Sequence, residues 1–264
     1  MHFTKMHGLG NDYLYVYGEV PKNIETLSAK LSERHFGAGS DGMIYISPSD
    51  IADFKMRIFN ADGSEAKMCG NGIRCVGKYV YDKGYTDKTR LKIETLSGIK
   101  YLNLTVSAGK VKLVTVNMGT AITENEKTIN LCGNMISCIP VSVGNPHAVI
   151  FVEDIEKAPI SEIGPLLEHH EAFPDGVNVE FVQVISEREL RMRVWERGSG
   201  ITMACGTGAC AVVAAAVSKN ICKREKQISV YLDGGTLKIQ IDNDDTVMMT
   251  GPAETVYEGE TDIC

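Results

Sequence analysis

Cys69-Gly70-Asn71-Gly72 and Cys205-Gly206-Thr207-Gly208 are the segments of this chain whose residue types and spacing could carry chemistry. A thiol is a weak base in water, with a pKa of roughly 8.5. At the start of a helix, unpaired backbone N–H groups and the macrodipole favour the thiolate. The same N–H groups can hold a carboxylate. The glycines one and three places after each cysteine permit close backbone approach. Two such sulfurs on opposite faces of one carbon could remove its proton on one side and return a proton on the other. That chemistry inverts a stereocentre. Charge building on the carboxylate of an amino acid would be stabilised by the N–H groups, as in an oxyanion hole. The roles exchange in the reverse direction, so the resting molecule is expected to hold one thiolate and one thiol.

The two segments belong to a longer repeat. Met56-Arg57-Ile58-Phe59 and Met192-Arg193-Val194-Trp195 each lead into a Cys-Gly-x-Gly at an offset of 136 (residue 69 to residue 205). Gly10-Asn11 recurs as Gly144-Asn145, and Asp41-Gly42 as Asp175-Gly176, both at an offset of 134. Three anchors in one order indicate a duplicated domain. A pseudo-twofold duplication would set the two cysteines opposite each other across a cleft.

The elements that must position them follow from patterning. Residues 55–59 and 190–195 alternate as strands, and Asp62-Gly63-Ser64 and Arg197-Gly198-Ser199-Gly200 read as loops. The segment from Gly70 to Asp82 spaces Ile73, Val76 and Val80 as a helix, with Gly84 as its stop. Its counterpart, Cys210 through Ser218, is small and apolar all round, the pattern of a helix buried on every side. Strands are expected at 91–95, 101–106, 111–116, 228–232 and 236–241, separated by turns at Ser97-Gly98, Ala108-Gly109 and Asp233-Gly234-Gly235. Each half is thus an α+β unit, a mainly antiparallel sheet wrapped on one central helix. The change of domain is expected near residues 117–121, with no low-complexity linker to mark it.

Rival motifs are weaker. Zinc sites favour Cys-x-x-Cys pairs, whereas Cys69 and Cys75, Cys132 and Cys138, and Cys205 and Cys210 are five or six apart. Gly72 to Lys78 fits the letters of a phosphate loop, but Tyr79 replaces the Ser/Thr and the segment falls inside a helix. Thiol oxidoreductase chemistry would treat a Cys69–Cys205 disulfide as function rather than failure. A non-enzymatic small-molecule binding protein would need neither cysteine. Cys75, Cys132, Cys138, Cys210, Cys222 and Cys264 are expected in the core or at the surface.

With 264 residues, 44% hydrophobic and 23% charged, the chain has enough apolar material for two domains. A net charge of -7 argues against non-specific nucleic-acid binding, which needs a basic face. The first residues lack an apolar signal core and no stretch is long enough to span a membrane, so a cytoplasmic setting with reduced thiols is expected.

At these residues the chain resembles the diaminopimelate epimerase family. The resemblance rests on Gly8-Leu9-Gly10-Asn11-Asp12, Arg34-His35-Phe36-Gly37, Phe59 to Glu65 and Met68 to Cys75 in the first half. In the second half it rests on Gly144-Asn145-Pro146-His147, Gly176 to Glu180, Glu196-Arg197-Gly198 and Ala204 to Gly208. It implies an enzyme that interconverts LL- and meso-diaminopimelate in lysine and peptidoglycan precursor synthesis, without a cofactor or metal, as a cytoplasmic homodimer. It also implies that the C-terminal strand returns to the first domain, giving 1–117 plus about 252–264 and 118–251.

By residue, the family's catalytic cysteines fall on Cys69 and Cys205, and the pair assisting them on His147 and Glu196. Its substrate contacts fall on Asn11, Asn60, Gly70, Asn71, Asn145, Asn178, Glu196, Arg197, Gly206 and Thr207. Where some members carry Gln after His-Phe-Gly, this chain has Gly42. Within the same chemistry the alternative is a proline or hydroxyproline epimerase. A cyclic substrate has no distal amino-acid end for Arg197 to clamp.

Overall fold

The computed structural model describes residues 1–131 and 133–263; Cys132 and Cys264 lie outside the described residues. The chain divides into two compact units, residues 1–116 with 251–264, and residues 117–250. No described helix is long and apolar enough to cross a membrane.

The first unit opens with a hairpin, β1 (His2–Gly8) and β2 (Asn11–Tyr17), followed by α1 (Ile24–Ser32). Next come β3 (Gly42–Ser47), β4 (Phe54–Asn60), the short β5 (Glu65–Ala66) and α2 (Gly70–Asp82). Strands β6 (Arg90–Thr95), β7 (Gly98–Ser107) and β8 (Lys110–Thr120) finish it in antiparallel order. The second unit adds β9 (Ile122–Thr123) and β10 (Lys127–Leu131), then repeats the plan. Its hairpin is β11 (Asn134–Ser142) and β12 (Pro146–Phe151), followed by α3 (Ile160–Glu168), β13 (Asn178–Ser186), β14 (Glu189–Glu196) and β15 (Gly200–Ile201). Helix α4 (Gly206–Ser218), β16 (Ile228–Leu232), β17 (Gly235–Ile241) and β18 (Thr246–Gly251) complete it. The last strand, β19 (Glu254–Glu260), pairs antiparallel with β1. The change of unit falls inside β8.

The duplication extends to strand direction. β2 pairs parallel with β3 and β4 with β6; β12 pairs parallel with β13 and β14 with β16. The remaining pairings described are antiparallel, which fits the expected α+β class. Register refines one repeat anchor. Met43 faces Phe59 and Val179 faces Trp195, so Gly42 corresponds to Asn178 and Ile44 to Glu180. The Asp-Gly pairs lie two residues out of that correspondence, because the second unit has a longer link between β12 and α3, while the loops before β3 and β13 are equal in length.

Each unit carries a second helix that the sequence reading did not place. Ile24, Leu27 and Leu31 of α1 pack with Leu14, Met43, Tyr45 and Phe59. In the second unit, Ile160 and Leu167 of α3 pack with Val179 and Phe181. Alternate residues of the same strands point the other way: Ile44 reaches Gly72 of α2, and Glu180 reaches Gly208 of α4. Strands covered on both faces read as unbroken apolar runs.

Helix α2 ends where Gly84 takes φ +77°, a left-handed stop that favours glycine. Helix α4 packs against β11 to β14, β16 and β17, which is why its Ala-Val sequence has no polar face. Cys75, Cys138, Cys210 and Cys222 are buried, and the segment Gly72 to Lys78 lies inside α2.

Candidate active site

In the first unit Cys69 is the N-cap of α2. Its backbone is extended (φ -138°, ψ 113°) and its Sγ accepts the N–H of Gly72 at 3.3 Å. Sulfur thus takes the place an Asn, Asp or Ser oxygen usually holds at a helix start. The thiol donates to Asn11 Oδ1 at 3.2 Å. Asn11 cannot turn, because its Nδ2 donates to Asp41 Oδ2 at 2.8 Å. Arg34 then ties Asp41 to the buried Asp12, whose carboxyl is held below its usual range: burial opposes that, and Arg34 and Lys5 outweigh it.

The first turn of α2 is braced from within. Arg74 is fully buried, and its Nη1 donates to Gly70 O and to Asn71 Oδ1, while Nε donates to Pro252 O. Tyr15 donates its hydroxyl to Gly72 O. Tyr13 is buried, and its hydroxyl is pushed well up in pKa by desolvation, with Cys69 and Asp41 adding to the effect. Asn60 is joined instead to Ser64, at the end of β4.

In the second unit Cys205 caps α4 in the same way, extended at φ -117° and ψ 112°, with Sγ accepting the N–H of Gly208 at 3.4 Å. Thr207 Oγ1 lies 3.6 Å from the sulfur. Asn145 links this turn to His147: its Nδ2 donates to Thr207 Oγ1 at 3.4 Å, and its Oδ1 lies 3.1 Å from His147 Nε2. The other ring nitrogen, Nδ1, lies 2.7 Å from Glu180 Oε1. Glu196 accepts from the Thr202 hydroxyl. Its carboxyl is raised in pKa by desolvation, with Glu180 adding to that and Thr202, Cys205 and His147 opposing it.

The sequence reading expected the helix start to lower the thiol pKa. At Cys205 the structure gives the reverse. Burial pushes this thiol well above its ordinary value, and the Glu196 and Glu180 charges add to the effect. Thr207 and the Gly208 N–H pull the other way and are outweighed. Partial charges at a helix end do not compensate a desolvated sulfur beside two carboxyl groups.

The loop after β14 is fixed by three contacts. Asn178 Oδ1 accepts the Arg197 N–H at 2.9 Å, Glu168 Oε1 accepts the Gly198 N–H at 2.8 Å, and Glu168 Oε2 accepts Trp195 Nε1 at 2.7 Å. Arg197 is exposed, with Nη1 donating to Asp175 O. Asn145, His147, Cys205, Thr207 and Gly208 therefore form one hydrogen-bonded set, which Gly206 joins only through the chain; Glu196 is coupled to it through Cys205, and Asn178 and Arg197 form a neighbouring one.

Tyr13, Arg74, Glu168, Glu180 and Thr202 were missed from sequence. Glu180 had a signal, a charge in the run from Val177 to Val182 that is otherwise apolar except for Asn178, and the others had none. Among the described residues no group of three or more His, Cys, Asp or Glu side chains could hold a metal ion.

Each unit thus presents a capping sulfur on a helix whose first N–H groups can receive an anion. A diaminopimelate epimerase sequence profile matches residues 3–124 and 139–256. The chain belongs to the diaminopimelate epimerase family. It is 51% identical to the diaminopimelate epimerase of Acetivibrio thermocellus, covering 100% of this chain and 99% of that one. It is 53% identical to that of Methanococcus maripaludis, with 100% of both covered. A crystal structure of a hydroxyproline epimerase from Agrobacterium vitis superposes with a TM-score of 0.77 at 17% identity, covering 98% of this chain and 91% of that one. That likeness is one of fold alone.

Proposed function

We propose that this chain interconverts LL- and meso-diaminopimelate by moving the α-proton between two sulfurs, Cys69 and Cys205. One observation carries the reading: corresponding helical turns of two duplicated units are each capped by a cysteine sulfur that accepts the third residue's N–H.

One sulfur takes the α-proton and the other delivers a proton to the opposite face, so the resting enzyme needs one thiolate and one thiol. Burial and two carboxyl groups favour the thiol at Cys205, and the roles of acid and base exchange with the isomer bound. His147 and Glu196 assist Cys205. The first-turn groups of Gly70 and Asn71, and of Gly206 and Thr207, receive the carboxylate next to the reacting carbon and stabilise the charge that builds on it. Asn11, Asn60, Asn145 and Asn178 offer donors and acceptors to the amino-acid ends, and Glu196 adds a carboxylate contact for an ammonium. Arg197 clamps the distal carboxylate. In this reading the enzyme works without a cofactor, as a cytoplasmic homodimer, in lysine and peptidoglycan precursor synthesis.

The test is conversion of LL-diaminopimelate to the meso isomer by purified protein under reducing conditions with no cofactor added. The reading expects turnover that falls by about 10²-fold or more in both Cys69→Ser and Cys205→Ser. Turnover near the wild-type rate after either change contradicts it.

A further inference from the structure

Glu180 lies in β13 between Val179 and Phe181, which pack with α3, and it is 0% exposed. Its own side chain points the other way, to α4, where a Cβ on Gly208 would stand 2.7 Å from Oε1. Oε1 also lies 2.7 Å from His147 Nδ1, and Oε2 is buried with no hydrogen-bond partner among the described residues.

The corresponding position in the first unit is Ile44, whose Cδ1 lies 2.7 Å from where a Cβ on Gly72 would stand. The fold therefore does not require a charge here, since an apolar side chain fills the same place against the same turn of the duplicated helix. A desolvated carboxylate with one oxygen unpartnered is unfavourable for folding, so its presence calls for a role in the chemistry. The 2.7 Å contact to His147 has the length of a charge-assisted hydrogen bond. On the far side of the ring Nε2 faces a second acceptor, Asn145 Oδ1, at 3.1 Å. A carboxylate can only accept, so the contact places a ring proton on Nδ1.

We propose that Glu180 is a positioning residue: it fixes the orientation of His147 with a ring proton on Nδ1 and sets a buried carboxylate against negative charge on Cys205. This rests on the two-sulfur reading above. The titratable groups that face one another here are His147 of β12, Glu180 itself, Glu196 of β14 and Cys205 of α4. The high pKa of the Cys205 thiol, caused first by burial and then by Glu196 and Glu180, agrees with it. The asymmetry of the two sulfurs then has a structural source, a carboxylate in one unit where the other has an isoleucine.

The experiment compares wild type with Glu180→Gln and Glu180→Ile. The rate of Cys205 alkylation by iodoacetamide, followed by mass spectrometry of its peptide, is measured across pH. The expected result is a half-maximal pH lower by about one unit or more in both folded variants. The pH profile of kcat should move the same way, with KM for diaminopimelate near wild type because Glu180 touches no substrate. An unchanged Cys205 titration in both variants overturns the proposal. Where a variant fails to fold, nitrogen-15 NMR of wild-type His147 decides: a proton on Nδ1 supports the proposal, and a ring protonated on Nε2 alone overturns it. Wild-type turnover of LL-diaminopimelate, run in parallel, separates the readings. Its absence would count against the epimerase, while the Cys205 titration would still judge Glu180.

Discussion

At Cys205 two influences oppose each other. The helix start offers a backbone N–H to the sulfur, while burial and the Glu196 and Glu180 carboxyls disfavour charge on it. The second influence wins, and the thiol survives to higher pH than a solvated one. Cys69, less enclosed, has an Asn11 amide at 3.2 Å as its polar neighbour. Replacing Cys69 by Ser substitutes a much poorer base, and positioned acid–base groups contribute about 10²- to 10⁴-fold. Steady-state assays of Cys69→Ser should show kcat reduced by about that range, with the melting temperature near wild type. Arg197 is different in kind, because it is exposed and its loop is held by Asn178 and Glu168 rather than by its own side chain. Arg197→Ala should raise KM for diaminopimelate with kcat largely kept. A large fall in kcat at unchanged KM would contradict the assigned binding role.

Among the elements, α2 and α4 show how closely a strand can approach a helix start. At Gly72 an added Cβ would meet Ile44 Cδ1 at 2.7 Å, the far end of a side chain that can rotate. At Gly208 it would meet Glu180 Oε1 at 2.7 Å, an atom already bound to His147, and Cys205 Cβ at 3.2 Å. Overpacking of a rigid site costs about 1–3 kcal/mol. Gly208→Ala should therefore lower stability in chemical denaturation, and by more than Gly72→Ala; equal or reversed losses would show that Glu180 yields as easily as Ile44. The same elements show what sequence made legible. Helix α2 has caps and apolar spacing strong enough to mark Gly70–Asp82, and β16 and β17 alternate between turn signals. Helices α1 and α3 have only nine residues each; polar residues outnumber the apolar ones in α1, and Gly164-Pro165 interrupts the helical pattern of α3. Parallel pairing depends on partners far along the chain, which no local pattern reports. Glu180 escaped for a related reason: its neighbour His147 is one strand away.

For the whole molecule, buried thiols set an alkaline limit on stability. Cys75 is fully buried, and desolvation raises its pKa from 9.0 to about 11. The folded pKa lies above the unfolded one, so this contribution is complete below about pH 9 and is lost as pH rises toward about 11. A shift of that size corresponds to about 2–3 kcal/mol. Melting temperature should fall across this window, and less steeply in Cys75→Ala, whose lost packing lowers it at every pH; parallel curves for the two proteins would remove Cys75 from the account. The duplication itself makes the central claim possible, because it provides two capped sulfurs of matched geometry in unlike surroundings. Incubating LL-diaminopimelate with the enzyme in deuterated water, and sampling at low conversion, tests that claim most directly. Two sulfurs that exchange with solvent and serve opposite faces predict meso product carrying one α-deuterium, while the remaining LL substrate keeps its protium. Product that retains the original α-hydrogen would mean a single base carries the proton from face to face, and the two-sulfur account would fail.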